Sequence, residues 1–141
     1  MGSPRQRPQT HAPDAATIEA LARATLADLP ATFRAHLGAV VVQVHDWADE
    51  ALLAEMEIDD PLDLTGVYLG QPVGDKHNGA IAALPDMIQL FRMPILFEWA
   101  ETGVALEHLV AHVTIHEIGH HFGLSDADMA ALEDAEPEDG A

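Results

Sequence analysis

The segment from Val104 to His121 sets the first constraint. It is the longest stretch that reads as one helix, and His108, His112, His116 and His120 recur in it every fourth residue. On an α-helix such residues lie about 40° apart around the axis and about 6 Å apart along it. The fold must therefore place a row of imidazoles along one side of a helix and give each a partner. Within the row, His116-Glu117-Ile118-Gly119-His120 has the pattern H-E-x-x-H. Two histidines at this spacing can converge on one metal ion, and imidazole suits zinc. Glu117 sits about 100° further round, so it can reach a water beside the ion without binding the ion itself. His121 is about 140° from His116 and is not a ligand of the same ion. His108 and His112 are expected on a polar or partly buried face with local partners.

A catalytic zinc usually has three protein ligands and one open position. The chain contains no cysteine, so the third ligand must be a histidine or a carboxylate. Gly123 follows His120 by three residues, where a left-handed glycine can end the helix. The chain can then turn back and point Asp126 at the metal. Ser125 is a candidate cap for a last short helix, with Asp128 completing a capping box. Zinc on His116, His120 and Asp126 lowers the pKa of its bound water to about 7. Glu117 would take a proton from that water during attack on a carbonyl and pass it to the leaving amine.

The rest of the chain reads as α+β, a small three-stranded sheet with helices packed against it. Asp14 is a candidate N-cap, and Ile18, Leu21, Leu26 and Leu29 follow at helical spacing as far as Pro30. A short helical turn stops at Gly38. Ala39–His45 is a valine-rich strand, Asp46–Ile58 a helix with Leu52, Leu53 and Met56 facing inward, and Leu64–Leu69 a second strand. Gln71–Pro85 is rich in turn formers. Asp86–Arg92 is a third strand, followed by a short helix from Pro94 to about Gly103. Trp47, Phe97 and Trp99 are core or groove aromatics. If the third strand lies at the sheet edge, it can capture an extended peptide by strand addition.

Composition bounds the function. There are 141 residues, 48% of them hydrophobic, which suits one domain with one core. Residues 1–13 read as a disordered leader, 14–135 as the folded domain and 136–141 as an acidic tail. The five acidic residues from Glu133 onward read as frayed and solvated. With 24 acidic residues against 6 Lys plus Arg, net charge −18, a nucleic-acid partner is excluded. No apolar run is long enough for a membrane span and no signal peptide is evident, so a cytoplasmic location is expected.

The pattern His116-Glu117-x-x-His120-x-x-Gly123-x-x-Asp126 resembles zincin metallopeptidases that use aspartate as third ligand. Gly66-Val67-Tyr68-Leu69-Gly70-Gln71-Pro72 and Leu84-Pro85-Asp86-Met87-Ile88-Gln89-Leu90-Phe91-Arg92 extend the resemblance to the minimal zincin-like metallopeptidases, from about Leu37 onward. It implies a reduced zincin core and zinc on His116, His120 and Asp126. The chain departs from larger zincins in lacking their methionine-containing turn, since Met129 comes too soon after Asp126. No oxyanion donor is evident. Tyr68 is expected to pack at the sheet edge with its hydroxyl in water, and His77 to be a solvated loop residue.

Two readings of function follow. One is a zinc peptidase acting on peptides or flexible protein segments. The other is a zinc-containing module of zincin fold that binds peptide or protein with little or no turnover. A purely structural zinc site is disfavoured, because such sites are closed and cysteine-rich and would leave Glu117 without a role.

Overall fold

A computed structural model describes residues 11–70 and 85–134. The expected Gln71–Pro85 loop, apart from Pro85, lies outside these residues, as do His77 and the tail from 136. The elements run α1 (Ala15–Ala27), α2 (Ala31–Leu37), β1 (Val40–His45), α3 (Glu50–Glu55), a 3-10 turn (Pro61–Asp63) and β2 (Gly66–Leu69). They continue as β3 (Asp86–Phe91), α4 (Arg92–Thr102), α5 (Leu106–Phe122) and α6 (Asp126–Asp134). The α+β class expected from the sequence is the class observed. Among the described residues no helix is long and apolar enough to cross a membrane.

Local signals start and stop these elements. The Asp14 carboxylate accepts from the Thr17 backbone N–H at 2.8 Å and opens α1. These bonds hold its carboxyl below the ordinary range. Just before it, the Pro13 carbonyl accepts from Arg92 Nε at 2.8 Å, which ties the end of the expected leader to the domain. α3 is shorter than the sequence suggests, because Asp49 rather than Asp46 supplies its cap, accepting from Leu52 N at 2.7 Å. Met56 lies beyond its last turn and is 41% exposed, not inward. Trp47 and Phe97 are also exposed, whereas Trp99 packs against the main core.

The sheet order is β1-β3-β2, with β1 parallel and β2 antiparallel to β3. The third strand is therefore central and cannot serve as a substrate-capturing edge. Its side chains give the reason: Ile88, Leu90 and Phe91 are all buried, so both faces are covered. Ile88 and Leu90 point with Val42 into the main core, against Ile18 and Ala22 of α1 and Val110, Val113 and Ile118 of α5. Phe91 points the other way, into a smaller cluster with Ala48, Leu64 and Val67. Truncating a side chain such as Ile88 to alanine costs about 2–5 kcal/mol. This packing holds α5 against the sheet.

Candidate metal centre

The centre is built on α5 and α6. Leu109, Val110, Val113, Ile115 and Ile118 are buried and cover α5 around most of its circumference. In the remaining stripe His112 and His120 are exposed and His116 is half-buried. The ring centroids of His112 and His116 are 4.0 Å apart, and those of His116 and His120 are 6.0 Å apart.

The helix ends as its glycine suggests. Gly123 adopts φ 71°, in the left-handed region. Its N–H donates to the His120 carbonyl at 3.3 Å, and the Leu124 N–H donates to the Gly119 carbonyl at 2.8 Å. This pair of bonds satisfies orphan carbonyls and reverses the chain. Ser125 then opens α6 through the expected capping box. Ser125 Oγ accepts from Asp128 N at 3.1 Å, and an Asp128 carboxylate oxygen accepts from Ser125 N at 3.4 Å.

α6 packs antiparallel to α5: Met129 sits over Gly119, and Glu133 sits beside His112. Asp126 is exposed in the first turn of α6, at the end nearest His120 and Gly123. His116 and His120 thus adjoin on one helix with Asp126 at the adjoining helix start, but their three donor atoms do not gather into one compact group. Among the described residues the compact group is His112, His116 and Glu133, with donor atoms within 4.8 Å of one another. His112 Nδ1 is 2.7 Å from Glu133 Oε1, and His116 Nε2 is 3.5 Å from Glu133 Oε2. These two imidazoles and a carboxylate can hold a metal ion. His112 has the local partner expected of it. Glu133, read from the sequence as the start of a solvated tail, is half-buried in the last turn of a helix. Its seven-residue spacing from Asp126 was the available signal, because residues two turns apart share a helix face.

Glu117 is half-buried beside this row. Burial pushes its carboxyl up to about 7, since desolvation penalises the charged form. Among the described residues no hydrogen bond or ion pair engages it. A carboxyl with these properties can exchange a proton near neutrality.

On the sheet side, Tyr68 stacks on His121 with ring centroids 4.1 Å apart. Its hydroxyl is not in water, as the sequence reading had it: it donates to Asp86 Oδ2 at 2.7 Å. Burial and the Asp86 carboxylate both push the Tyr68 hydroxyl pKa upward, so it stays a neutral donor. His121 is turned toward β2 and β3, with Nε2 3.9 Å from Asp86, away from the histidine row. Met129, which follows Asp126 too closely for the methionine turn of larger zincins, is fully buried under Gly119.

No curated protein matches the chain. The family model for zincin-like metallopeptidases matches residues 37–136, which run from the last residue of α2 through α6 and include the whole histidine row. The chain belongs to the zincin-like metallopeptidase family.

Proposed function

We propose that the protein is a zinc-dependent peptidase, with His116, His120 and Asp126 as metal ligands and Glu117 as general base. The observation that carries this reading is Glu117: a desolvated carboxyl, unpartnered among the described residues, one position along α5 from His116. The donor types suit zinc, two imidazoles at i and i+4 and a carboxylate from the adjoining helix, and binding would draw the three donor atoms together. When bound by His116, His120 and Asp126, zinc would supply Lewis-acid chemistry for the substrate carbonyl and for water. Glu117 accepts the proton as water attacks and returns it to the leaving amine. Burial raises this carboxyl above its ordinary value, which makes it a stronger proton acceptor. The Glu133 carboxylate, 3.5 Å from His116 Nε2, holds that imidazole toward α6, where Asp126 also lies.

A second reading is a module that captures a peptide strand without cleaving it. It is favoured by β2, which among the described residues pairs on one side only, with β3. An open strand edge suffices for peptide recognition by main-chain bonds. Chelation and reconstitution separate the two. A peptidase loses hydrolysis of a mixed-peptide library on metal removal and regains it with one equivalent of zinc. A module binds peptide but cleaves none at any zinc level.

A further inference from the structure

α5 carries two overlapping i, i+4 histidine pairs, His112–His116 and His116–His120, and α6 carries two carboxylates seven residues apart on one face, Asp126 and Glu133. Because the helices run antiparallel, Asp126 falls opposite the His120 end and Glu133 opposite the His112 end. The same chemical pattern is thus repeated one step along the helix pair, with His116 common to both.

We propose that His112, His116 and Glu133 form a second seat for a divalent transition-metal ion such as Zn2+, which excludes occupancy of the His116–His120–Asp126 seat because both need His116. Tetrahedral zinc with bonds of about 2.0–2.2 Å sets its donors roughly 3.3–3.6 Å apart. His116 Nε2 and Glu133 Oε2 already stand at 3.5 Å. His112 Nδ1 is hydrogen-bonded to the other oxygen, Oε1, at 2.7 Å, and one donor atom from each of the three residues lies within 4.8 Å of the others, so small side-chain rotations bring them to ligand spacing. A groove lined by Glu98, Thr102, His108, His112 and Glu133 opens beside this seat and gives an ion access. The seat is not hydrolytic: the residue after His112 is Val113, which is buried and has no carboxylate, whereas the residue after His116 is Glu117. An ion at the outer seat is therefore parked, and the protein holds one tight ion in one of two positions.

The outer seat stands on its own geometry, and the test reads binding rather than hydrolysis. Zn2+ is titrated by calorimetry, with Co2+ absorption as a second probe, into metal-free protein. The parent, a His120→Ala/Asp126→Ala variant and the same variant with Glu133→Gln are compared, with folding of each checked by circular dichroism. His120 and Asp126 are exposed, so their truncation leaves the core intact. The parent should bind one tight ion, and the double variant should still bind one. Adding Glu133→Gln should weaken that binding by more than about tenfold. A folded double variant that binds no ion would overturn the outer seat and leave the peptidase site standing. Unchanged binding after Glu133→Gln would overturn the ligand assignment. Two equally tight ions on the parent would overturn the shared use of His116. If a variant does not fold, His112→Gln in the parent decides. The proposal requires it to change the Co2+ spectrum or affinity, and an identical titration would overturn the seat.

Discussion

Met129 occupies the space in which a side chain on Gly119 would stand. A Cβ at position 119 would meet both the sulfur and Cγ of Met129, which is itself fully buried. Gly119 lies within the H-E-x-x-H segment, so α6 packs directly against that segment at its smallest residue. That contact fixes the distance between the histidine row and the carboxylates of Asp126 and Glu133. Gly119→Ala should gain about 1 kcal/mol in helix propensity yet lose about 1–3 kcal/mol to overpacking. A net loss of stability is expected by thermal or urea unfolding, with weaker zinc binding. Shortening Met129 to alanine in the Gly119→Ala background should recover part of the zinc affinity. No recovery would mean that the contact does not set the helix spacing.

Glu117 carries a pH dependence that can be read without metal. Its folded-state pKa of about 7 lies above the ordinary 4.5, because burial disfavours the carboxylate. The folded state thus holds the proton more tightly. This contribution to stability is full below about pH 4.5 and is lost as pH rises through about 7. Metal-free Glu117→Gln, which stays neutral throughout, should gain on the parent across that window, by on the order of 1–2 kcal/mol at pH 8 after allowance for residual solvation. Urea unfolding of both proteins at pH 4.5 and pH 8 measures the difference. A constant gap at both values would refute it.

Tyr68, the single tyrosine, reports on the sheet side of α5. Its hydroxyl donates to Asp86 and its ring stacks on His121, so β2, β3 and the end of α5 are joined through one side chain. In the folded protein its absorbance change on ionisation should begin only well above pH 10, the ordinary tyrosine value. Tyr68→Phe should cost about 1–2 kcal/mol, since the acceptor is a carboxylate. Titration near pH 10 would contradict the Asp86 hydrogen bond.

What could be read in the sequence was local. His116 and His120, the Gly123 stop, the Ser125–Asp128 box and the Asp14 cap each depend on neighbours within four residues, and spacing alone locates them. The strand order depends on pairing between distant segments. Nothing local told that Asp86–Phe91 inserts between β1 and β2 rather than at the edge. Glu133 was missed for a different reason. A run of acidic residues reads as solvent-facing by composition, while its partners, His112 and His116, are brought to it only by the turn at Gly123. Trp47 and Phe97 are exposed, which their aromatic character alone did not signal.

The most direct test of the central claim is hydrolysis of a mixed-peptide library by the zinc-loaded parent and by zinc-loaded Glu117→Gln, with metal content measured in both. The Gln variant keeps the size of the side chain but cannot accept the proton. Cleavage by the parent, reduced at least about a hundredfold in a variant that retains its zinc, is the predicted result. Equal cleavage by both proteins, or none by a zinc-replete parent, would contradict a peptidase in which Glu117 is the base.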